Sequence, residues 1–191
     1  MAFSDGVFAV AITLLVIDLR LPPVEGGDAA IWDALLTMGP KLLIFVFTFI
    51  IIGMSWLGHH RKFSYIRQVN SGLLWLNLFY LLTLCLIPFA TGVLSEHGDR
   101  FAFILYAVVM TLVSMLSAAL SAYGLREPFL ANRILQPGVR PDMILSPFFT
   151  AIVFLMSAAV AFGGRMKIAH WILLLIMPVS AFFGSRTRKA A

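Results

Sequence analysis

The sequence predicts an all-α, polytopic membrane protein with six transmembrane helices, and three observations carry that reading. Hydrophobic residues make up 61% of the 191-residue chain, charged residues only 12%, and mean hydropathy is +0.96, well outside the range of ordinary soluble domains. The apolar residues gather into six stretches, roughly 3–20, 40–60, 71–95, 100–124, 143–163 and 168–185. Each is near the twenty or so residues that a helix needs to cross the hydrocarbon core. No internal repeat divides the chain, so residues 1–191 read as a single membrane domain.

The elements follow in order. Met1-Ala2 lacks the basic region of a secretory signal, which predicts that the first apolar segment is retained as a span. Pro22-Pro23 and Gly26-Gly27 cannot continue a helix, so residues 21–28 read as a loop. Ile31 to Met38 has the look of a short interfacial helix with Trp32 at headgroup level, and Gly39-Pro40 separates it from the second span. In the third span Pro88 predicts a kink, with Thr91 nearby to help satisfy freed carbonyls. The lone Cys85 sits in an apolar stretch, which excludes a disulfide framework and fits a core side chain.

A net charge of +5 and a pI near 9.8 raise the question of nucleic acid. The basic residues lie in the short connections, however, and membrane topology explains them better. Arg61, Lys62, Arg67, Arg126, Arg133, Arg140, Arg186, Arg188 and Lys189 fall on one side of six spans. Arg20, Lys41, Arg100, Arg165 and Lys167 fall on the other. The excess predicts that both termini are cytoplasmic. Glu25, Asp28, Asp33, Glu96 and Asp99 then lie outside, as solvated loop charge or as a weak attractor of cations.

The first span has one distinctive face. At about 100° per residue, Phe3, Gly6, Val10, Thr13, Leu14 and Ile17 share about a quarter turn, with Asp5 roughly opposite and Asp18 just beyond one edge. Apolar rings of this kind can close a pore by dewetting, and a ring of hydroxyls can replace part of an ion's hydration shell. The same pattern also suits an ordinary lipid- or protein-facing stripe whose threonine bonds its own backbone. The pattern alone leaves both readings open. A pore built on one such helix would need copies of the chain, hence a cyclic homo-oligomer. The filter sequence Thr-Val-Gly-Tyr-Gly is absent, so any ion selectivity would come from side chains and be moderate.

Ser4 and Asp5 stand where a helix N-terminus accepts backbone N–H bonds. Trp56, His59, His60 and Arg61 lie at the same level of the second span and Asn77 lies in the third, so a structural or gating cluster with Ser4 and Asp5 is expected. Adjacent histidines diverge by about 100° on a helix, and no further ligand stands at metal spacing, so no metal site is expected. A pH-sensing role for the histidines stays open. No nucleophile–base pair, phosphate loop or zinc pattern occurs, so the reading is neither an enzyme nor a cofactor protein.

Phe3-Ser4-Asp5 with Thr13, the run Trp56-Leu57-Gly58-His59-His60-Arg61-Lys62-Phe63, Asn77, and Pro88-Phe89-Ala90-Thr91 together resemble the transmembrane protein 175 family, potassium channels of lysosomes and bacteria. The family pattern also places an arginine four residues before Phe3, ahead of Met1. The resemblance implies a bacterial single-repeat member that acts as a potassium-permeable cation leak channel in the inner (plasma) membrane, with four copies around a central pore lined by the first helix. It implies Val10, Leu14 and Ile17 at the hydrophobic constriction, slightly widened by a valine where the family often has isoleucine or leucine, and Thr13 as the selectivity layer. Potassium and other monovalent cations would be the permeant species, lipid and further copies of the chain the partners. The alternative is a proton-coupled transporter or proton pathway through Asp5, Asp18 and the histidines; a third class is a membrane scaffold without transport.

Overall fold

The computed structural model describes residues 2–126 and 139–176, and every element along them is a helix. Seven α-helices run as α1 Ala2–Leu14, α2 Asp28–Thr37, α3 Gly39–Tyr65, α4 Ser71–His97, α5 Arg100–Gly124, α6 Val139–Phe162 and α7 Met166–Leu173. A 3-10 helix, η1, continues α1 over Leu15–Asp18.

The all-helical membrane class holds, but the number of spans does not. Among the described residues four helices are long and apolar enough to cross a membrane, within α3, α4, α5 and α6, rather than six. The expected first span, 3–20, is a 13-residue α-helix of about 20 Å followed by four 3-10 residues. Hydrocarbon is about 30 Å thick. The expected last span, 168–185, runs out of the described residues; within them it is α7, eight residues long. The turn before α7 contains Gly164 at φ +82°, a left-handed conformation that glycine adopts at little cost. Of the basic residues weighed for orientation, Arg133, Arg186, Arg188 and Lys189 lie outside the described residues. Arg61 and Lys62 belong to α3, not to a loop.

Local chemistry sets the helix ends. The Asn70 side chain accepts from the Leu73 amide at 2.9 Å to start α4, and Asp99 accepts from the Ala102 amide at 2.7 Å to start α5. Gly98, at φ +60°, ends α4 between them. Pro40 enters α3 in its first turn, where a missing N–H costs nothing. Pro88 lies inside α4, and the Thr91 hydroxyl donates to the Ile87 carbonyl at 2.8 Å, not to the Leu84 carbonyl that the proline frees. As expected, a short helix precedes α3; its Ile31, Trp32, Leu35 and Leu36 are all exposed.

Helix association in lipid rests on close packing and interhelical hydrogen bonds, because hydrocarbon is as apolar as leucine. The core follows that rule. Small residues on facing helices, Ala107, Ala118 and Ser121 of α5 with Ala151, Ala158 and Ala161 of α6, are buried and let the backbones approach. Tyr106 of α5 meets Phe154 of α6 edge-on at 6.2 Å between ring centroids. The Tyr106 hydroxyl also pairs with Thr48 of α3 at 3.1 Å, both side chains fully enclosed. On the other side of this core, α1 lies against α4 and α3.

Tyr106→Phe deletes the only hydroxyl of that pair that belongs to α5. A cross-helix bond in a membrane protein averages about 0.6 kcal/mol, so the melting temperature in detergent should drop by about one or two degrees. A melting curve that does not move would remove this bond from the list of forces joining α3 to α5.

Candidate functional site

Two opposed faces of α1 make up the site. Ser4, Phe8, Ala11 and, in η1, Leu15 are buried against α3 and α4. The other face is bare: Val10 is 57%, Leu14 41% and Ile17 50% exposed, with Phe3, Gly6 and Thr13 exposed beside them. Of the expected face, Val10, Thr13 and Leu14 stand in α-helical register. Ile17 does not, because each 3-10 step turns by about 120° in place of 100°, which moves it about 60° from its helical position.

The Thr13 hydroxyl lies 3.0 Å from both the Ala9 and the Val10 carbonyl oxygens. Its one proton is therefore committed to the helix, and the oxygen presents lone pairs outward. A ring of such oxygens can accept a cation but cannot donate to an anion. The same back-bonding is the ordinary habit of threonine on a membrane helix, so the bond itself favours neither reading.

The buried face is held by polar bonds. His59 of α3 meets the Asn77 Oδ1 of α4 through Nε2 at 2.9 Å, and the Asn77 Nδ2 donates to the Ser4 Oγ of α1 at 3.2 Å. A carboxamide oxygen can only accept, so His59 carries a proton on Nε2. Phe8, Phe63 and Tyr80 surround its ring with centroids at 5.5, 4.5 and 5.7 Å, and its Nδ1 has no hydrogen-bond partner. Next to this chain, the Trp56 indole N–H donates to the Asp5 carboxylate at 2.9 Å. His60, turned outward, tilts against Trp56 at 5.7 Å, and Arg61 is half-buried. Ser4, Asp5, Trp56, His59 and Asn77 are thus brought together. Because α1 starts at Ala2, Ser4 and Asp5 lie within its first turn, and their side chains face neighbouring helices.

Two participants escaped the sequence reading. Lys62 is buried, its ammonium donating to the Ser117 carbonyl of α5 at 2.7 Å and to the Ser117 hydroxyl at 3.2 Å. Tyr80 is the stacked partner of His59. Lys62 stands three residues after His59, and Tyr80 three after Asn77. That one-turn spacing puts each on the same helix face as the residue already singled out, a signal open to sequence analysis.

Asn77→Leu should cost about 1–3 kcal/mol, because it strands the buried Ser4 hydroxyl and the His59 N–H without partners. Asp5→Ala, which breaks one bond at a partly exposed carboxylate, should cost less. Melting of both purified variants checks the order; a more severe loss in Asp5→Ala would reverse the roles assigned to the two bonds.

Residues 1–88 match the model of the family described as endosomal/lysosomal potassium channel TMEM175. A potassium channel of Streptomyces collinus is 37% identical over 124 residues, 62% of this chain and 60% of that protein. The endosomal/lysosomal proton channel TMEM175 of Gallus gallus is 24% identical over 140 residues, 71% of this chain but 27% of that one. The chain spans about half the length of the curated bacterial relatives it matches. The fold is similar to the crystal structure of a lysosomal potassium-selective channel TMEM175 homolog from Chamaesiphon minutus, with a TM-score of 0.78, 24% identity and coverage of 97% of this chain and 95% of that one. Residues 1–88, the part of the chain that carries Phe3-Ser4-Asp5, Trp56, His59 and Asn77, are thus similar to the TMEM175 family.

Proposed function

We propose that this chain is the subunit of a potassium-permeable leak channel whose pore is lined by the bare face of α1. The observation that carries the reading is the contrast between the two sides of that helix. One is fastened by Ser4, Asp5 and Phe8 to two membrane-spanning helices, and the other leaves Val10, Thr13, Leu14 and Ile17 uncovered. Copies of the chain around an axis would turn these bare faces toward one another, and four copies is the number the family resemblance implies. Val10, Leu14 and Ile17 then form the hydrophobic constriction and Thr13 the selectivity layer, its outward lone pairs substituting for part of the hydration shell of the ion. Potassium is the permeant ion, and no cofactor takes part. We place the channel in the inner membrane of a bacterium, with both termini on the cytoplasmic side.

Support comes from the bacterial relatives, which are named potassium channels at 36–42% identity. The proton pathway is less favoured, since the relatives named proton channels are 20–24% identical.

Two substitutions test the assignment in liposomes. Thr13→Val keeps shape and removes only the hydroxyl, so conduction should survive while the reversal potential under mixed potassium and sodium gradients shifts toward no preference; an unchanged permeability ratio would remove Thr13 from the mechanism. Ile17→Asn wets a constriction that apolar side chains keep dry, so potassium efflux should rise severalfold. Wild-type efflux from a correctly assembled variant would contradict a pore position for Ile17.

A further inference from the structure

Among the described residues, η1 is the least conventional element. A four-residue 3-10 segment is near the usual length limit, and neither proline nor glycine within Leu15–Asp18 explains why the α-helix stops at Leu14. Its side chains offer a cause. Leu15 is buried, and the Asp18 carboxylate lies directly over Gly92 of α4. A β-carbon at Gly92 would stand 2.7 Å from Oδ2 of Asp18, closer than real β-carbons come, and a tight 3.2 Å from its Cγ. Arg20 folds back from the far end, its Nε donating to the Ile17 carbonyl at 3.2 Å. Ile17 is therefore gripped on both sides, by the carboxylate that follows it and by the guanidinium on its own carbonyl. Successive 3-10 residues diverge by about 120°, so a carboxylate seated on α4 turns the Ile17 side chain well away from it, onto the bare side.

We infer that Gly92 is a positioning residue for the outer end of the constriction: its missing side chain is the seat into which Asp18 fits, and that fit sets how far Ile17 projects. The inference rests on the proposal that the bare face of α1 lines a pore. A methyl group in the seat lifts η1 off α4 and drives Ile17 toward the axis, which narrows the constriction. Asp18 acts here by shape and not by charge.

The test uses the full chain in liposomes, with Ile17→Cys in a Cys85→Ala background for a second readout, the rate of modification by a water-soluble thiol reagent. Gly92→Ala should lower potassium efflux by about fivefold or more, since dewetting is steep in radius, and should slow labelling at position 17. Asp18→Ala in the same chain should restore both, whereas Asp18→Asn, equal in size to the carboxylate, should restore neither. If Gly92→Ala matches wild type in both readouts, the carboxylate has merely rotated off the methyl and the inference is overturned. Failure of Asp18→Ala to rescue, or equal rescue by Asp18→Asn, overturns it too. Should the wild-type chain pass no potassium, the channel proposal fails by itself and the labelling rates still decide the seat. Should Gly92→Ala not assemble, Asp18→Glu, one methylene too long for the seat, must slow labelling in its place or the inference falls.

Discussion

The Asn77 carboxamide joins α1, α3 and α4 through two hydrogen bonds, and the position of α1 depends on it. In water a helix as apolar as Ala2–Leu14 would be pressed onto its neighbours by the hydrophobic effect. In lipid that force is absent, because the tails solvate phenylalanine and valine as well as a protein core does. What separates a docked α1 from one adrift in the bilayer is then close packing plus a few polar bonds that hydrocarbon cannot replace. The Asp5–Trp56 bond and the Asn77 bonds all act on the first turn. Farther along, Phe8, Ala11 and Leu15 contribute contact alone.

This arrangement explains how a helix too short to span can still be placed precisely at membrane depth. It borrows its position from α3 and α4, which are 27 residues each and span by themselves. Those two are in turn tied to α5, by Thr48 with Tyr106, by Lys62 with Ser117, and at one end by the Asn70 amide donating to the Tyr123 hydroxyl at 2.9 Å. A buried ammonium is costly in hydrocarbon, and Lys62 meets that cost with two oxygens of one residue, the carbonyl and the hydroxyl of Ser117. The bare face of α1 thus sits on a base that is braced two helices deep.

Much of this was legible in the sequence. α4 and α5 fall within two residues of the apolar stretches that foretold them. Ser4, Asp5, Trp56, His59 and Asn77 could be grouped from the sequence because polar groups among apolar ones are conspicuous. Hydropathy failed at the first span for a physical reason: it measures whether a stretch tolerates lipid, not whether the backbone stays α-helical through it. Residues 15–18 are as apolar as a span requires, apart from Asp18, and nothing in their composition announces a 3-10 turn. The close approach of Asp18 to Gly92 was equally hidden, since it joins residues 74 positions apart whose types suggest no partnership.

The direction of the buried hydrogen-bond chain has a consequence for charge movement. A Grotthuss wire needs links that both give and take a proton, as water, hydroxyl and imidazole do. Asn77 stands in the middle of this chain with its oxygen toward His59 and its nitrogen toward Ser4, and a carboxamide passes a proton only by way of its high-energy imidic acid form. The link is mechanically continuous and electrically broken. Three helices are fastened together by polar groups deep in the protein, yet the bonds that fasten them make an insulator.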